Sequence, residues 1–280
     1  MGDVSPFVLV ERARPHVVVV RMHRPDRLNA MSIELVSELH EALAAIAEDN
    51  DTWVVVLTGS GRAFSSGLDL KDHGIVPNID GLQVGRIAQK AMRHYSRLVP
   101  ALRRMPQPVI AAVNGPAYGG GMCLALGADL RFAGEGAVFN STGIVNGLTS
   151  TELGASWLLP RLIGVARSND LLLTGRVVDA AEALAMGLVS RVLPDDELLD
   201  GCLDVAEAMS RYSPYGLAMT KDVIWANLEV ASLEAAIELE DRNQLMLGFT
   251  ENLPTAIRAF DAGGTPVYTD EPRRGMFPEG

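Results

Sequence analysis

Val109-Ile110-Ala111-Ala112-Val113-Asn114-Gly115-Pro116-Ala117-Tyr118-Gly119-Gly120-Gly121-Met122-Cys123-Leu124 decides how this chain is read. Val109–Val113 is a short, wholly apolar run, the mark of a strand buried on both faces. Asn114-Gly115-Pro116 turns the chain, and three consecutive glycines then open a helical stretch, Met122–Gly127. The first N–H groups of a helix have no internal partners, and glycine there removes the side chain that would keep a ligand away. Such an end offers free donors and a partial positive charge to an oxyanion. The same glycines also serve tight helix–strand packing, and spacing alone does not choose between the two.

A second glycine-bearing segment, Thr58-Gly59-Ser60-Gly61-Arg62-Ala63-Phe64-Ser65-Ser66-Gly67-Leu68-Asp69-Leu70-Lys71, follows the strand-like run Trp53–Thr58. Two loops of this kind at neighbouring strand ends would present two N–H groups to one oxygen, although Gly59-Ser60-Gly61 is equally a plain turn. Phe7–Val10, Val17–Met22 and Leu130–Phe132 also read as strands. Between them, Ser32 caps a helix with Leu35, Val36, Leu39, Leu43 and Ile46 on one face. The apolar spacing from Val84 to Met105 predicts one long helix, with Arg86, Lys90, Arg93 and Arg97 off its apolar face. Strands alternating with helices imply a buried parallel sheet. Beyond about residue 195 the pattern is helical: Leu203–Met209, Tyr215–Leu228, Ser232–Phe249 and Thr255–Asp261. The expectation is an α/β core over residues 1–195 and a helical region over 196–280, with a tail from Gly263 that only its neighbours would order. No short-period repeat is present.

A chain of 280 residues, 48% hydrophobic and 21% charged, suits one large α/β domain or a core with a smaller appendage. Its 35 acidic and 24 basic residues leave a net charge of −11, which argues against a general nucleic-acid or anionic-membrane surface. Two cysteines, Cys123 and Cys202, are too few for a disulfide scaffold or zinc knuckle and suit a reducing compartment. The five histidines, His16, His23, His40, His73 and His94, lack metal-ligand spacing and are read as structural or solvated. Gly59-x-Gly61 is followed by Phe64 where a dinucleotide fingerprint needs glycine, and no Gly-x-Ser-x-Gly elbow occurs. No run approaches the roughly 18 apolar residues of a membrane span. The opening Met-Gly-Asp-Val-Ser-Pro is not a secretory or myristoylation signal, so a cytoplasmic protein is expected.

Arg24-Pro25-Asp26-Arg27-Leu28-Asn29-Ala30-Met31, then Ala63 through Lys71, then Pro108 through Gly121, resemble in order and spacing the crotonase family, the enoyl-CoA hydratases and isomerases. Ala180-Ala181-Glu182-Ala183-Leu184-Ala185-Met186-Gly187-Leu188-Val189 resembles the stretch before the family's C-terminal helices, so the likeness covers roughly residues 8 to 260. It implies a crotonase-like α/β spiral of ββα units with a helical trimerisation region, assembling as a homotrimer or hexamer. It implies an acyl-CoA thioester substrate, coenzyme A entering as part of that substrate rather than as a cofactor, within fatty acid metabolism. The thioester oxygen would be held by the backbone N–H groups of Leu68 and Gly120. Arg27, Leu28 and Ala30 match positions lining the CoA channel, and Lys71 matches a basic residue near it. Ser66, Asp69, Leu70, Gly119, Cys123 and Gly143 complete the implied substrate contacts. Asp69 and Asp129 match carboxylates read as structural, satisfying loop N–H groups.

Family hydratases use two glutamates, one to activate water and one to deliver a proton. Cys123 stands at the first position and Gly143 at the second, and residues 114–128 contain no Asp or Glu. A thiol with a pKa near ~8.5 is a poor carboxylate substitute at neutral pH, and Cys123 reads as a small buried residue. Glu152, in Thr151-Glu152-Leu153-Gly154-Ala155-Ser156, resembles the loop where some family isomerases carry an acid/base carboxylate. It reads equally as a solvated or capping residue before Leu153–Leu159. A single carboxylate suffices to move a proton between carbons of an enolate, so double-bond isomerisation is favoured. Hydration with unrecognised groups and a catalytically silent acyl-CoA binder stay open as alternatives, and an RNA-binding role is disfavoured by the charge.

Overall fold

The computed structural model describes residues 6–72 and 74–271, so His73, the opening residues 1–5 and the tail beyond 271 lie outside the described residues. Its strands are β1 (Val8–Arg14), β2 (Val17–Met22), β3 (Val54–Gly59), β4 (Val109–Val113), β5 (Ala117–Tyr118), β6 (Leu130–Gly134), β7 (Val138–Asn140), β8 (Val178–Asp179) and β9 (Arg191–Leu193). Its helices are α1 (Ile33–Ala47), α2 (Val84–Ser96), α3 (Leu98–Arg104), α4 (Gly120–Gly127), α5 (Ala155–Ile163), α6 (Val165–Thr174), α7 (Ala180–Met186), α8 (Leu198–Met209), α9 (Pro214–Asn227), α10 (Leu233–Gly248) and α11 (Asn252–Asp261).

Among the described residues the strands form two sheets, one ordered β1-β2-β3-β4-β6-β9 and a smaller one ordered β5-β7-β8. Only the β1–β2 hairpin of the larger sheet is antiparallel. The chain alternates between the sheets: β4 enters the large one and β5 the small one, then β6 and β7 repeat the step. Each such pair is followed by helices, α4 after β5 and α5 and α6 after β7, which produces a spiral of ββα turns.

Alternate side chains of the central strands enter two different cores, which is why β2, β3 and β4 are apolar almost throughout. Val18, Val20, Val55 and Leu57 join Leu35, Val36 and Leu39 of α1 and Leu98 and Leu102 of α3. Val17, Val19, Val54 and Val56 pack with Leu198, Cys202 and Leu203 of α8. The Ser32 cap forms as expected, its hydroxyl accepting the Leu35 N–H.

The single helix expected from Val84 to Met105 is instead two, meeting at Arg97. Pro100 is the reason, since it has no N–H to return to the Ser96 carbonyl and its ring crowds that turn. The helix expected to start at Met122 starts at Gly120, so two of the three glycines are helical.

After β9 the described chain is helical. Lys221 of α9 reaches into the core, 5% exposed, and donates to the carbonyls of Leu102 and Gln107 and to Asp129 Oδ2 at 3.0 Å. Asp129 also accepts the Val109 N–H and Trp225 Nε1–H, as a structural carboxylate should. Burial pulls the Lys221 ammonium below its ordinary value and Asp129 opposes that pull. Lys221→Met leaves the half-buried Asp129 charge without its cation, and urea unfolding should show a loss of about 3 kcal/mol.

Candidate active site

The two glycine-bearing loops lie side by side because a short parallel bridge ties them together. Ser65 pairs with Ala117, with Ser65 N–H donating to the Pro116 carbonyl and Tyr118 N–H to the Ser65 carbonyl. Gly121 packs so closely on Ser65 that a Cβ would lie 2.3 Å from the Ser65 carbonyl oxygen. Gly67, at φ +84°, sits against the next turn: a Cβ there would lie 2.6 Å from the Tyr118 carbonyl oxygen and 3.2 Å from the Gly120 nitrogen. Here glycine is demanded both by conformation and by close approach.

This packing sets the two amides. The Gly67 carbonyl accepts the Met31 N–H, so the trans peptide turns the Leu68 N–H away from Met31. Gly120 begins α4, and the first helical bond runs from Cys123 N–H to the Gly119 carbonyl, leaving Gly120 N–H without an intrahelical acceptor. Among the described residues neither amide has a protein acceptor.

Leu68 and Gly120 line one cavity of about 400 Å³, with Met31, Ile33, Val76, Ala91, Met92, Tyr95 and Leu153 as largely apolar walls. Glu152 is the one carboxylate among the described residues that line it. No hydrogen bond or ion pair engages that carboxylate among the described residues, and burial alone pushes its pKa up. It stands next to the glycine loop, because a Cβ on Gly119 would lie 3.2 Å from Glu152 Oε1. Tyr95 closes the wall below, its hydroxyl 3.4 Å from the Met31 carbonyl and its pKa raised to about 12, chiefly by burial. Another apolar cavity, of about 360 Å³, lies between Trp157 and Trp225, but its acid is Asp129, already committed to Val109, Trp225 and Lys221.

Of the residues implied as substrate contacts, only Leu68 and Gly120 line this cavity, and Cys123 and Gly143 are packed away from it. Cys123 is 1% exposed, its thiol donating to the Glu152 carbonyl at 3.5 Å, and burial drives its pKa far upward. Gly143 packs against Thr149, whose carbonyl oxygen would sit 2.0 Å from a Cβ there. Both are buried, and the backbone at Thr149 leaves no room for a side chain at residue 143. Neither can stand in for a hydratase glutamate.

Arg27, Leu28, Ala30, Ser66, Asp69, Leu70 and Lys71 fall together beside the cavity on two loops that brace each other. Ser66 N–H donates to the Leu28 carbonyl and Met31 N–H to the Gly67 carbonyl. Asp69, 4% exposed, accepts from the Lys71 and Asp72 amides and pairs with Arg24 and Arg27. Burial works against its charge, but these amides and guanidiniums outweigh it and hold the carboxyl below its usual range. Sequence reading missed Arg24, whose guanidinium also donates to the Ala30 carbonyl, and Asn29, which donates to the carbonyls of Ser60 and Ala63. Their signal was only membership of the Arg24–Met31 motif. Lys71 and Leu70 are exposed at the rim. Of the described histidines, His16 stacks on Trp53, His23 meets Ser60, and His40 and His94 bridge α1 to α2.

Among the described residues, two backbone amides without a protein acceptor and one carboxylate whose pKa burial raises thus face one largely apolar chamber. The chain belongs to the enoyl-CoA hydratase/isomerase family, the crotonases: the family profile of that description matches residues 12–271. It is 47% identical over 266 residues to a probable enoyl-CoA hydratase, EchA12, of Mycobacterium tuberculosis, covering 95% of this chain and 93% of that relative. A probable enoyl-CoA hydratase/isomerase of Mycobacterium abscessus superimposes with a TM-score of 0.91 at 42% identity, covering 95% of this chain and 100% of that one. A monofunctional enoyl-CoA isomerase of M. smegmatis is 44% identical with a TM-score of 0.69, covering 83% of this chain and 99% of that one. This chain is accordingly a crotonase-family enzyme acting on acyl-CoA.

Proposed function

We propose that this enzyme is an enoyl-CoA isomerase that moves a carbon–carbon double bond by proton transfer through Glu152. The observation that carries the reading is that, among the described residues, Glu152 alone brings a carboxylate to the lining of the cavity shared by Leu68 and Gly120. The thioester oxygen of a 3-enoyl-CoA accepts hydrogen bonds from those two amides. The Glu152 carboxylate removes a proton from the α-carbon, and the electron pair moves into the thioester to give a dienolate. The same carboxyl returns the proton at the γ-carbon, and the double bond lies between the α- and β-carbons. No water enters the balance and no cofactor is needed beyond the coenzyme A that the substrate carries. Oxyanion donors of this kind are each worth ~3 kcal/mol in the transition state.

The name of the M. tuberculosis relative favours a second reading, hydration with Glu152 activating a water. Assays of 3-enoyl-CoA isomerisation and crotonyl-CoA hydration, each with wild type and Glu152→Gln, separate the two; undiminished isomerisation in the variant overturns the assignment. Arg27 and Lys71 at the rim are suited to the CoA phosphates. The apolar side chains left exposed on the last helices, among them Leu253, Ile257 and Phe260, support self-association, which we take to be a homotrimer or hexamer.

The wall of Met31, Met92 and Tyr95 suits an apolar acyl chain. Filling it from α2 with Ala91→Trp should lower kcat/KM for a ten-carbon 3-enoyl-CoA about tenfold or more relative to a six-carbon one, because each buried methylene contributes roughly 0.8 kcal/mol. Steady-state rates across chain lengths check this.

A further inference from the structure

Thr142 has no part in the chemistry so far, yet its placement is unusual. It holds φ +40°, in the left-handed region where a β-branched side chain is strained, and Leu153, next to Glu152, does the same at φ +45°. The strain at Thr142 is imposed by a specific clamp. Asn140 accepts the Gly119 N–H on its backbone carbonyl and the Thr142 N–H on its side-chain Oδ1, at 2.8 and 2.6 Å, while its Nδ2 donates to the Gly175 carbonyl. The Thr142 carbonyl is taken in turn by the Asn146 N–H. One residue of β7 therefore fixes both the glycine loop and Thr142.

The consequence lies at Gly119. A Cβ there would stand 2.7 Å from Thr142 Oγ1 and 3.2 Å from Glu152 Oε1, so both oxygens converge on the bare glycine. No hydrogen bond joins them, and no hydrogen bond engages either side chain among the described residues. A hydroxyl rotor is a donor, whereas an ionised carboxylate only accepts. We propose that Thr142 is a positioning residue: a small turn of the two side chains about Gly119 lets its hydroxyl donate to the Glu152 carboxylate once that group is ionised, and so turns the carboxylate towards the substrate. The assignment rests on Glu152 being the acid/base group. Its neighbours do not confound the reading: Cys123 on α4 and Tyr95 on α2 are both held neutral by burial, and no charged side chain shifts Glu152 itself.

The test is steady-state isomerisation of a 3-enoyl-CoA across pH by the full chain carrying Thr142→Val, Thr142→Ser or Thr142→Gly. Thr142→Gly guards against misfolding, because glycine relieves the left-handed backbone. Thr142→Val and Thr142→Gly are expected to lower kcat about tenfold, the effect of one lost hydrogen bond to a charged group, with KM changed less than about twofold. Losing a donor to the charged form raises the carboxyl pKa, so the acidic limb of the rate profile moves to higher pH. Thr142→Ser should restore both rate and limb. Wild-type kcat and an unmoved limb in a folded Thr142→Gly overturn the proposal, as does Thr142→Ser as slow as Thr142→Val. Glu152→Gln measured in parallel separates the two failures: if it stays active the isomerase assignment falls, and if it is inactive while Thr142→Gly is fully active only the role of Thr142 falls.

Discussion

Glu152→Gln is expected to lower kcat for 3-enoyl-CoA isomerisation by about a hundred- to ten-thousandfold, the usual contribution of a positioned acid/base group. KM should change little, because the amide keeps the shape and the walls of the cavity are untouched. The folded state should lose at most the proposed Thr142 hydrogen bond, since nothing else engages the carboxylate among the described residues. Removing a group that burial forces out of its preferred ionised state relieves a desolvation cost, so thermal melting should be unchanged or improved. The pH profile follows from the same burial. Glu152 must be ionised to accept the α-proton, and its pKa lies above the ordinary glutamate value. Activity therefore falls as pH drops through that raised pKa, and the limb should sit above the range of an exposed glutamate and vanish in Glu152→Gln. A limb at the ordinary glutamate position would remove burial as the tuning force.

Gly67→Ala is expected to cost about a hundredfold or more in kcat through the backbone rather than through any reacting side chain. The new methyl would stand 2.6 Å from the Tyr118 carbonyl oxygen and 3.2 Å from the Gly120 nitrogen, at a φ of +84° that alanine tolerates poorly. The 65–68 and 117–120 segments must separate, and the Leu68 and Gly120 amides separate with them. Losing one oxyanion donor costs about 2.7–4 kcal/mol in related sites, and this change threatens both. The measurement is kcat for isomerisation beside the dissociation constant of a saturated acyl-CoA. A large fall in kcat with weaker dependence in binding supports a role in the transition state, whereas equal losses in both would mean that the loops only bind.

The fold was legible where chemistry and burial leave a local trace. Val17–Met22 and Val109–Val113 are strands with those bounds, because a strand buried on both faces must be apolar throughout. The Ser32 cap and the apolar face of α1 follow from helical spacing. β5, β7, β8 and β9 left no trace, being two or three residues long and defined by whom they pair with rather than by periodicity. The split at Arg97 was readable at Pro100 and was overridden in the reading by the apolar repeat on either side.

By itself the sequence determined the family likeness, the two glycine loops, and the absence of carboxylates at residues 123 and 143. Tertiary structure alone decided that Glu152 faces Gly119, that Thr142 aims at the same point, and that Arg24 shares Asp69 with Arg27. Periodicity reports whether a residue is buried, and a motif reports which groups are present. Neither reports which distant segments meet, because that is set by β5 and β7 pairing in the small sheet and by glycines that let backbones touch.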